Sequence, residues 1–368
     1  MGVEIKLEEK IFDILKMLQK MPAPEMMRFD VRDYEFRRVV SETTEEQIKK
    51  FGTDLVKDIL RYTAPKTNIV AKTAIGKKWA QKGKLDFDYD ASLFANCVYW
   101  LAMFQGKEPG PIVDKPEHKY KKNEYEFTCD GICRRGDTMN SWETTLNEFC
   151  RQRGESYIVG WHNRYIPEDY SSWVEFLSVP ENYKQPMPEY ITEFMNIVYT
   201  IGNFIPVPFK SREEGEFNSP RGTSTSRDYW DLALFCIYNY YTTGEPNDLK
   251  KRILKNSDNN VALCTKWLDG FGKGPDGWNH FVEQNFLQDF VNQENGGYGC
   301  PKELWKGHFS GKVLPGENEE FSESFTNASA WILARGVRIA SAVKDQLTDL
   351  SEEKLKELAR RMAGEEGK

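Results

Sequence analysis

The stretch from Asp228 to Pro246, DYWDLALFCIYNYYTTGEP, decides the fold class. Apolar and aromatic residues recur in it at the three- and four-residue spacing that is typical of an α-helix. Asp228 stands where a helix N-cap is expected, and Gly244 followed by Pro246 is a typical helix end. We therefore predict a strongly aromatic helix over residues 228–243.

Helical patterns continue on both sides of this stretch. They predict helices at residues 4–20, 91–105, 188–202, 247–256, 260–269, 278–292, 322–344 and 350–363. Segments of β-like composition stand at residues 67–75, 124–133 and 156–161. The predicted fold is mainly α, with a few short strands in the N-terminal half. Proline punctuation near residue 185 predicts an N-terminal α+β region over residues 1–185 and a multi-helix domain over residues 186–368.

Composition and charge exclude several classes of protein. With 39% hydrophobic and 13% aromatic residues, the 368-residue chain can bury a large core, which excludes disordered and collagen-like proteins. A net charge of −7 argues against coating nucleic acid through overall charge. Seven scattered cysteines are typical of reduced thiols. Because no long apolar run or secretory signal stands out, we expect a cytoplasmic protein with no membrane association.

The residues before the aromatic helix, from Arg221 to Asp228, form the first candidate site. Their sequence, RGTSTSRD, combines two arginines with several hydroxyl groups ahead of a predicted helix N-terminus. Such a combination suits a phosphate or a carboxylate, with Arg221 and Arg227 binding the ligand and Asp228 acting as an acid or base. The alternative is a solvated loop that only caps the helix.

The predicted helix over residues 278–292 provides a second candidate site. His280, Gln284 and Gln288 follow one another at spacings of four, and Asp289 lies one step round the helix. The row suits a pocket wall, with Gln288 binding a ligand and His280 and Asp289 as catalytic candidates. A buried polar network without catalysis is the alternative.

A third candidate is the stretch from Arg134 to Ser141, RRGDTMNS, between a β-like segment and a helix. Arg135 would bind a ligand there at the end of a strand, although a tight turn with a capping box is the alternative. No metal site is predicted, because no two of the four histidines have the i, i+4 spacing of a metal pair.

A basic segment runs from Arg61 to Lys84. It contains seven positive residues and no acidic one, and aromatic residues are interleaved with the charges. Such a patch suits a nucleic-acid backbone or an acidic partner, whereas the alternative is a solvated basic face.

The C-terminal half resembles an uncharacterised family of bacterial and phage-associated proteins, a domain of unknown function. The resemblance is carried by YTIGNFIP at residues 199–206, Arg221-Gly222, DYWDLAL at residues 228–234, QDFV at residues 288–291, and the Arg335-to-Ile339 segment. It brings no activity and no catalytic residue. It implies that five residues converge in space: Thr200, Asn203, Arg221, Asp228 and Asp231.

Two functions from different classes follow from these patterns. In the first, the protein binds a phosphate-bearing ligand, a nucleotide or a nucleic acid, in a polar pocket of the helical domain that includes Asn203. Hydrolase or transferase activity would be compatible with that pocket. In the second, the protein is a non-catalytic module that binds a protein partner, such as a phage-defence or counter-defence component. The sequence identifies no cofactor.

Overall fold

The computed structural model describes residues 6–31, 34, 92–104, 109–114, 125–140, 188–211, 215–217, 229–252, 258–294, 296–311 and 314–365. The basic segment 61–84, the stretch 221–228 and the predicted boundary near residue 185 lie outside these residues. So do the β-like segments 67–75 and 156–161.

Helices dominate the described part of the chain, as the sequence predicts. Ten α-helices lie within it: α1 (Leu7–Lys20), α2 (Ala23–Met26), α3 (Leu93–Ala102), α4 (Glu189–Ile197), α5 (Trp230–Thr243), α6 (Asn247–Arg252), α7 (Asp258–Asp269), α8 (Gly274–Gln284), α9 (Asn318–Leu347) and α10 (Glu352–Ala363). Two short 3₁₀ helices span Ile201–Asn203 and Gln288–Phe290. The aromatic helix α5 ends as predicted, at Gly244 in the left-handed region with φ of 76°.

The strands form two antiparallel sheets. The larger has the order β1 (Val113–Asp114), β2 (Tyr125–Cys129), β3 (Ile132–Thr138), β4 (Phe204–Ser211) and β5 (Gly215–Glu216), and the smaller pairs β6 (Val291–Glu294) with β7 (Gly297–Pro301). Strands therefore occur in both halves of the chain, and the prediction that confined them to the N-terminal half is wrong. The larger sheet joins strands from both sides of the predicted domain boundary.

Strand β4 begins just after the predicted helix 188–202, in a segment for which the sequence predicts no strand. Pro206 and Pro208 lower the expectation of a strand, because proline cannot donate to a sheet ladder. Both residues pair with β3, and on the other edge β5 pairs only with Phe209 and Ser211. Neither proline is paired with β5, so pairing along that edge of β4 requires no N–H donor from them.

The turn predicted after residue 133 is also displaced. β2 and β3 form a hairpin around Asp130 and Gly131, whose φ values of 53° and 69° suit a two-residue hairpin turn. Arg134 and Arg135 consequently lie within β3, opposite Pro208 and Val207 of β4. The predictions of a tight turn at this position and of Arg135 at a strand end are wrong for this reason, whereas the predicted capping box continues past Asn140 into residues outside the described ranges.

Helix α8 ends at Gln284, eight residues before the predicted end. The amide of Leu287 donates to the carbonyl of Val282 (2.9 Å), and that of Phe286 donates to Glu283 (3.1 Å). These two bonds form a Schellman helix end, with Phe286 at φ of 55° in the position that glycine usually occupies. The predicted single row of His280, Gln284 and Gln288 is therefore broken after Gln284.

The 30-residue helix α9 lies at the centre of the apolar core. It packs against α2, α3, α4 and the 3₁₀ helix Ile201–Asn203, while α10 packs along α1. A Cβ on Gly202 would stand 2.0 Å from the carbonyl oxygen of Ile332, so only glycine allows this 3₁₀ helix to lie so close to α9. None of the helices in the described ranges is long and apolar enough to cross a membrane.

Candidate functional site

A pocket of about 90 Å³ opens between one face of the larger sheet, the end of α3, and helices α7 and α8. A volume of this size accommodates about six water molecules, or an anion such as phosphate. Its lining combines cationic, amide and aromatic groups: Met103, Phe104, Asp130, Ile132, Arg134, Pro206, Lys266, Trp267, Gly270, Phe271, Gln284 and Asn285. We call it the Arg134 pocket.

Arg134 is the distinctive residue of this pocket. It stands on β3, between β2 and β4, and is only 3% exposed. Its guanidinium carbon lies 5.6 Å from the ring centroid of Trp267, a cation–π contact. Neither Nε nor Nη1 has a hydrogen-bond partner among the residues that the structure describes. The pocket is therefore lined by a buried arginine, two of whose nitrogens are shielded from solvent and have no hydrogen-bond partner within the described ranges.

The electrostatic environment leaves this arginine charged at neutral pH. Burial lowers the pKa of Arg134 to about 10, and Cys129, Asp130 and Cys133 partly oppose that decrease. Lys266 brings a second positive charge to the pocket, and Asp130 brings a carboxylate. Two positive side chains against one negative side chain favour an anion in the pocket.

The chemistry of the guanidinium indicates which anion fits. Its planar array of N–H groups binds phosphate or carboxylate oxygens in pairs, and these charge-assisted bonds are stronger than neutral ones. The fully buried Trp267 excludes water from one side of the charge, which strengthens the attraction. The arrangement can therefore hold a phosphate-sized anion.

A second buried arginine, Arg335 on α9, provides a contrast. Its Nε donates to the carbonyl of Asn285 (2.9 Å), and its Nη1 donates to those of Gly202 (2.9 Å) and Phe204 (2.8 Å). Burial lowers the pKa of Arg335 to about 10. Arg335 has a structural role, because Nε and Nη1 both donate to backbone carbonyls and only Nη2 has no partner within the described ranges. In Arg134, by contrast, both Nε and Nη1 are without a partner there.

A buried hydrogen bond between His308 and Asp231 joins the start of α5 to the segment before α9. The Nδ1 of His308 donates to Oδ2 of Asp231 at 2.5 Å, and both side chains are completely buried. Asp231 also accepts from the amides of Leu232 and Leu304, each at 2.9 Å. The ring of Trp305 stacks on His308 with a centroid distance of 3.6 Å. These contacts fix the imidazole, and its Nε2 has no partner within the described ranges.

Asn203, predicted to bind a ligand, is fully buried, and its side chain forms hydrogen bonds with backbone groups. Its Nδ2 donates to the carbonyls of Asn140 (2.9 Å) and Val198 (2.8 Å), and its Oδ1 accepts from the amide of Asn140 (3.0 Å). Asn140 also forms a β-bridge with Tyr229. Asn203 therefore connects the end of β3 to the residue before α5. The convergence of all five residues that the resemblance implies stays a prediction, because Arg221 and Asp228 lie outside the described residues.

Arg135, the other described candidate for ligand binding on a strand, points away from the Arg134 pocket. Neighbouring residues of a strand face opposite sides of the sheet. The guanidinium carbon of Arg135 lies 5.3 Å from the ring centroid of Phe209, on β4. It is Arg134, which the sequence analysis did not select, that lines the pocket.

His280 has different partners from Gln288 and Asp289, which lie near Tyr298 and Arg338. His280 is exposed, and its Nδ1 is 3.1 Å from the carbonyl oxygen of Phe271. Gln288 shares a hydrogen bond with Tyr298, and Asp289 forms an ion pair with Arg338 at 2.9 Å. Arg221, Arg227 and Asp228 lie outside the described residues, so their roles stay predictions.

Two functional features escaped the sequence patterns. Arg134 is one of two adjacent arginines, and only the strand register shows which one faces the pocket. His308 and Asp231 are 77 residues apart. Asp231 lies in the DYWDLAL segment that carries the resemblance, but no sequence pattern indicated His308 as its partner. No group of three or more potential metal ligands occurs in the described ranges.

The comparisons with known proteins extend this picture only at the level of family. Residues 165–339 match the model of a family of unknown function, DUF6994. This range contains all the segments on which the resemblance in the C-terminal half rested. No curated protein and no solved structure matches the chain. A functional conclusion must therefore come from the site.

Proposed function

We propose that the protein binds a small phosphate-bearing ligand in the Arg134 pocket, with Arg134 as the anchor. One observation carries this proposal: a charged guanidinium, 97% removed from solvent, lines an open pocket with two donors unpartnered among the described residues. A buried charge without a hydrogen-bond partner lowers the stability of a folded protein. An anion in the pocket would remove that cost, which makes binding favourable.

The proposed ligand belongs to the class that the sequence predicts, but a different arginine binds it. The sequence suggested Arg221 and Arg227, whereas the described contacts favour Arg134. Hydrolase or transferase activity and a phage-associated role remain predictions, as does binding of nucleic acid through the Arg61–Lys84 segment. A protein-interaction module is the alternative if no small anion binds.

The test compares phosphate binding by the wild-type chain and by Arg134→Met. We expect inorganic phosphate to raise the melting temperature of the wild type and to bind it in isothermal titration calorimetry. Arg134→Met should lose both effects, because methionine removes the charge and the donors. Without ligand the variant should be at least as stable as the wild type, since a buried charge is replaced by an apolar side chain of similar length.

Arg221→Ala is the matched control for this experiment. If phosphate binding is lost in Arg221→Ala and kept in Arg134→Met, the anion site lies in the 221–228 stretch and our assignment is wrong. An Arg134→Met variant that is strongly destabilised but still binds phosphate would show that Arg134 is structural. If phosphate does not bind the wild type, the proposed function fails.

Asp130 allows a second test of the same pocket. Asp130→Asn should bind phosphate more tightly, by roughly threefold to tenfold at low salt, because a nearby carboxylate no longer repels the anion. Asparagine tolerates the left-handed backbone of residue 130, whose φ is 53°, so the hairpin should be unchanged. Titration calorimetry at low and at high ionic strength measures the effect, which salt should diminish. Weaker binding by Asp130→Asn would contradict the placement of the anion beside this carboxylate.

A further inference from the structure

The residues that line the Arg134 pocket differ in depth. Arg134 and Trp267 are buried and belong to its inner part. Six other lining residues are exposed or half-buried and form its opening, which we call the rim: Phe104, Asp130, Lys266, Gly270, Phe271 and Gln284. A ligand bound to the Arg134 guanidinium would therefore extend to solvent past the rim.

The volume of the pocket limits what can accompany the anion. About 90 Å³ accommodates a phosphate group but not an organic substituent as well. A phosphate on Arg134 would therefore keep its free oxygens inside the pocket and direct one ester oxygen to the rim. A monoester satisfies this arrangement, whereas a diester would have to carry a second substituent within the enclosed volume.

Two phenylalanines give the rim its apolar character. Phe104 follows α3, and its ring packs edge-on against Phe127 with a centroid distance of 5.2 Å. Phe271 follows α7 and packs edge-on against Trp267 at 6.0 Å. These contacts hold both rings in place, and both rings remain half-buried. Because aromatic groups prefer stacked or edge-to-face contacts with one another, the rim suits a planar aromatic substituent better than an alkyl one.

We propose that the ligand is an aryl phosphomonoester, whose phosphate binds Arg134 and whose ring contacts Phe104 and Phe271 at the rim. This inference rests on the proposed function, because it concerns the same anion site. The charged groups of the rim, Lys266 and Asp130, are opposite in sign, so the rim requires no charge on the aromatic ring.

The expected consequence is a preference among phosphate esters. Burial of about 60 Å² of apolar surface corresponds to a tenfold change in the dissociation constant. An aromatic ring in contact with two phenylalanines would bury at least that area. We therefore expect phenyl phosphate to bind at least tenfold more tightly than methyl phosphate. Cyclohexyl phosphate should bind more weakly than phenyl phosphate, because its ring is not planar.

The experiment titrates the full chain with inorganic, methyl, phenyl and cyclohexyl phosphate in a calorimeter at about pH 8, where each probe is mainly dianionic. Phe104→Leu and Phe271→Leu each remove one ring of the rim and keep an apolar side chain. Both variants should lose most of the preference for phenyl over methyl phosphate and retain the affinity for inorganic phosphate, which also shows that the pocket is folded. Phe12→Leu, at a half-buried phenylalanine on α1, is the matched control and should keep the preference.

A further titration identifies the source of the aryl phosphate. A phosphotyrosine residue in a peptide carries the same group as a small aryl phosphate. If a phosphotyrosine peptide with alanine on both sides binds more tightly than phenyl phosphate, the ligand is a phosphorylated protein segment. If the peptide binds more weakly, the ligand is a small molecule, and both results agree with an aryl phosphate at the rim.

The outcomes separate this inference from the proposed function. The inference alone is overturned if the wild type binds phosphate but binds phenyl phosphate no more tightly than methyl or cyclohexyl phosphate, a comparison that needs no variant. It is overturned as well if both leucine variants keep the preference, since the ring would then lie elsewhere. If the wild type binds none of the four phosphates, the proposed function itself fails.

Discussion

Arg335→Met should lower the free energy of unfolding by about 3–5 kcal/mol, the largest loss that we expect from a single substitution in this protein. Arg335 is completely buried and closes three backbone carbonyls with its Nε and Nη1 donors. Methionine would occupy a similar volume but leave those carbonyls buried without donors. Chemical denaturation followed by circular dichroism measures the loss.

The size of this effect follows from what Arg335 connects. The carbonyls of Gly202 and Phe204 belong to the 3₁₀ helix and the start of β4, and that of Asn285 belongs to the end of α8. A single side chain on α9 thus holds two chain segments that are more than 80 residues apart in sequence. Losing it removes contacts between elements that no local interaction replaces.

Arg338→Met, three residues further along α9, is the matched control. Arg338 pairs with Asp289 at 2.9 Å, and its side chain is 43% exposed. Exposed ion pairs contribute about 0–1 kcal/mol, so this variant should be close to the wild type in stability. If the two methionine variants have equal stability, the carbonyl contacts of Arg335 contribute no more than a surface ion pair, and its structural role is wrong.

The sequence predicts those elements whose ends carry local signals. Helix α5 ends at Gly244, where glycine adopts the left-handed conformation without strain. Helix α8 ends in the same geometry at Phe286, and phenylalanine gives no such signal. Burial of Leu287 and Phe290 accompanies this helix end, so tertiary packing outweighs local preference there.

Strand β4 shows the same limit for sheets. Two prolines in FIPVPFK argue against a strand, and the pairing partner that permits it, β3, lies about 70 residues earlier. No local pattern contains that information. The larger sheet and the Arg134 pocket are consequences of this long-range pairing, which explains why the sequence predicts the helical class well and the pocket poorly.

For the site, the ligand class stays a prediction, and the structure changes which residues would bind it. Arginines near predicted strand and helix ends suggest an anion, and that expectation now has a described pocket to support it. The choice between Arg134 and Arg135 depends on which face of β3 packs against α7, because alternation in a strand reverses with a shift of one residue. Only the register of β3 with β4 determines it.

Asp231→Ala should also be strongly destabilising, by about 3 kcal/mol or more. The Asp231 carboxylate accepts from the amides of Leu232 and Leu304 and from Nδ1 of His308. Alanine would leave all three donors without a partner in the protein interior. Denaturant unfolding measures the loss, and nuclear magnetic resonance of the His308 ring nitrogens shows whether the imidazole loses its fixed tautomer.

Asp231→Asn separates the two contributions of the carboxylate. Its side-chain oxygen can still accept from the amide of Leu304, whereas the charge that holds His308 is gone. We therefore expect its stability to lie between those of the wild type and Asp231→Ala. The segment from Leu304 to His308 contains only a bend and turns, so the carboxylate, rather than helix or strand pairing, holds it against the start of α5. If Asp231→Ala were as stable as the wild type, other contacts would have to hold that segment, and the Asp231 carboxylate would not have the structural role assigned to it.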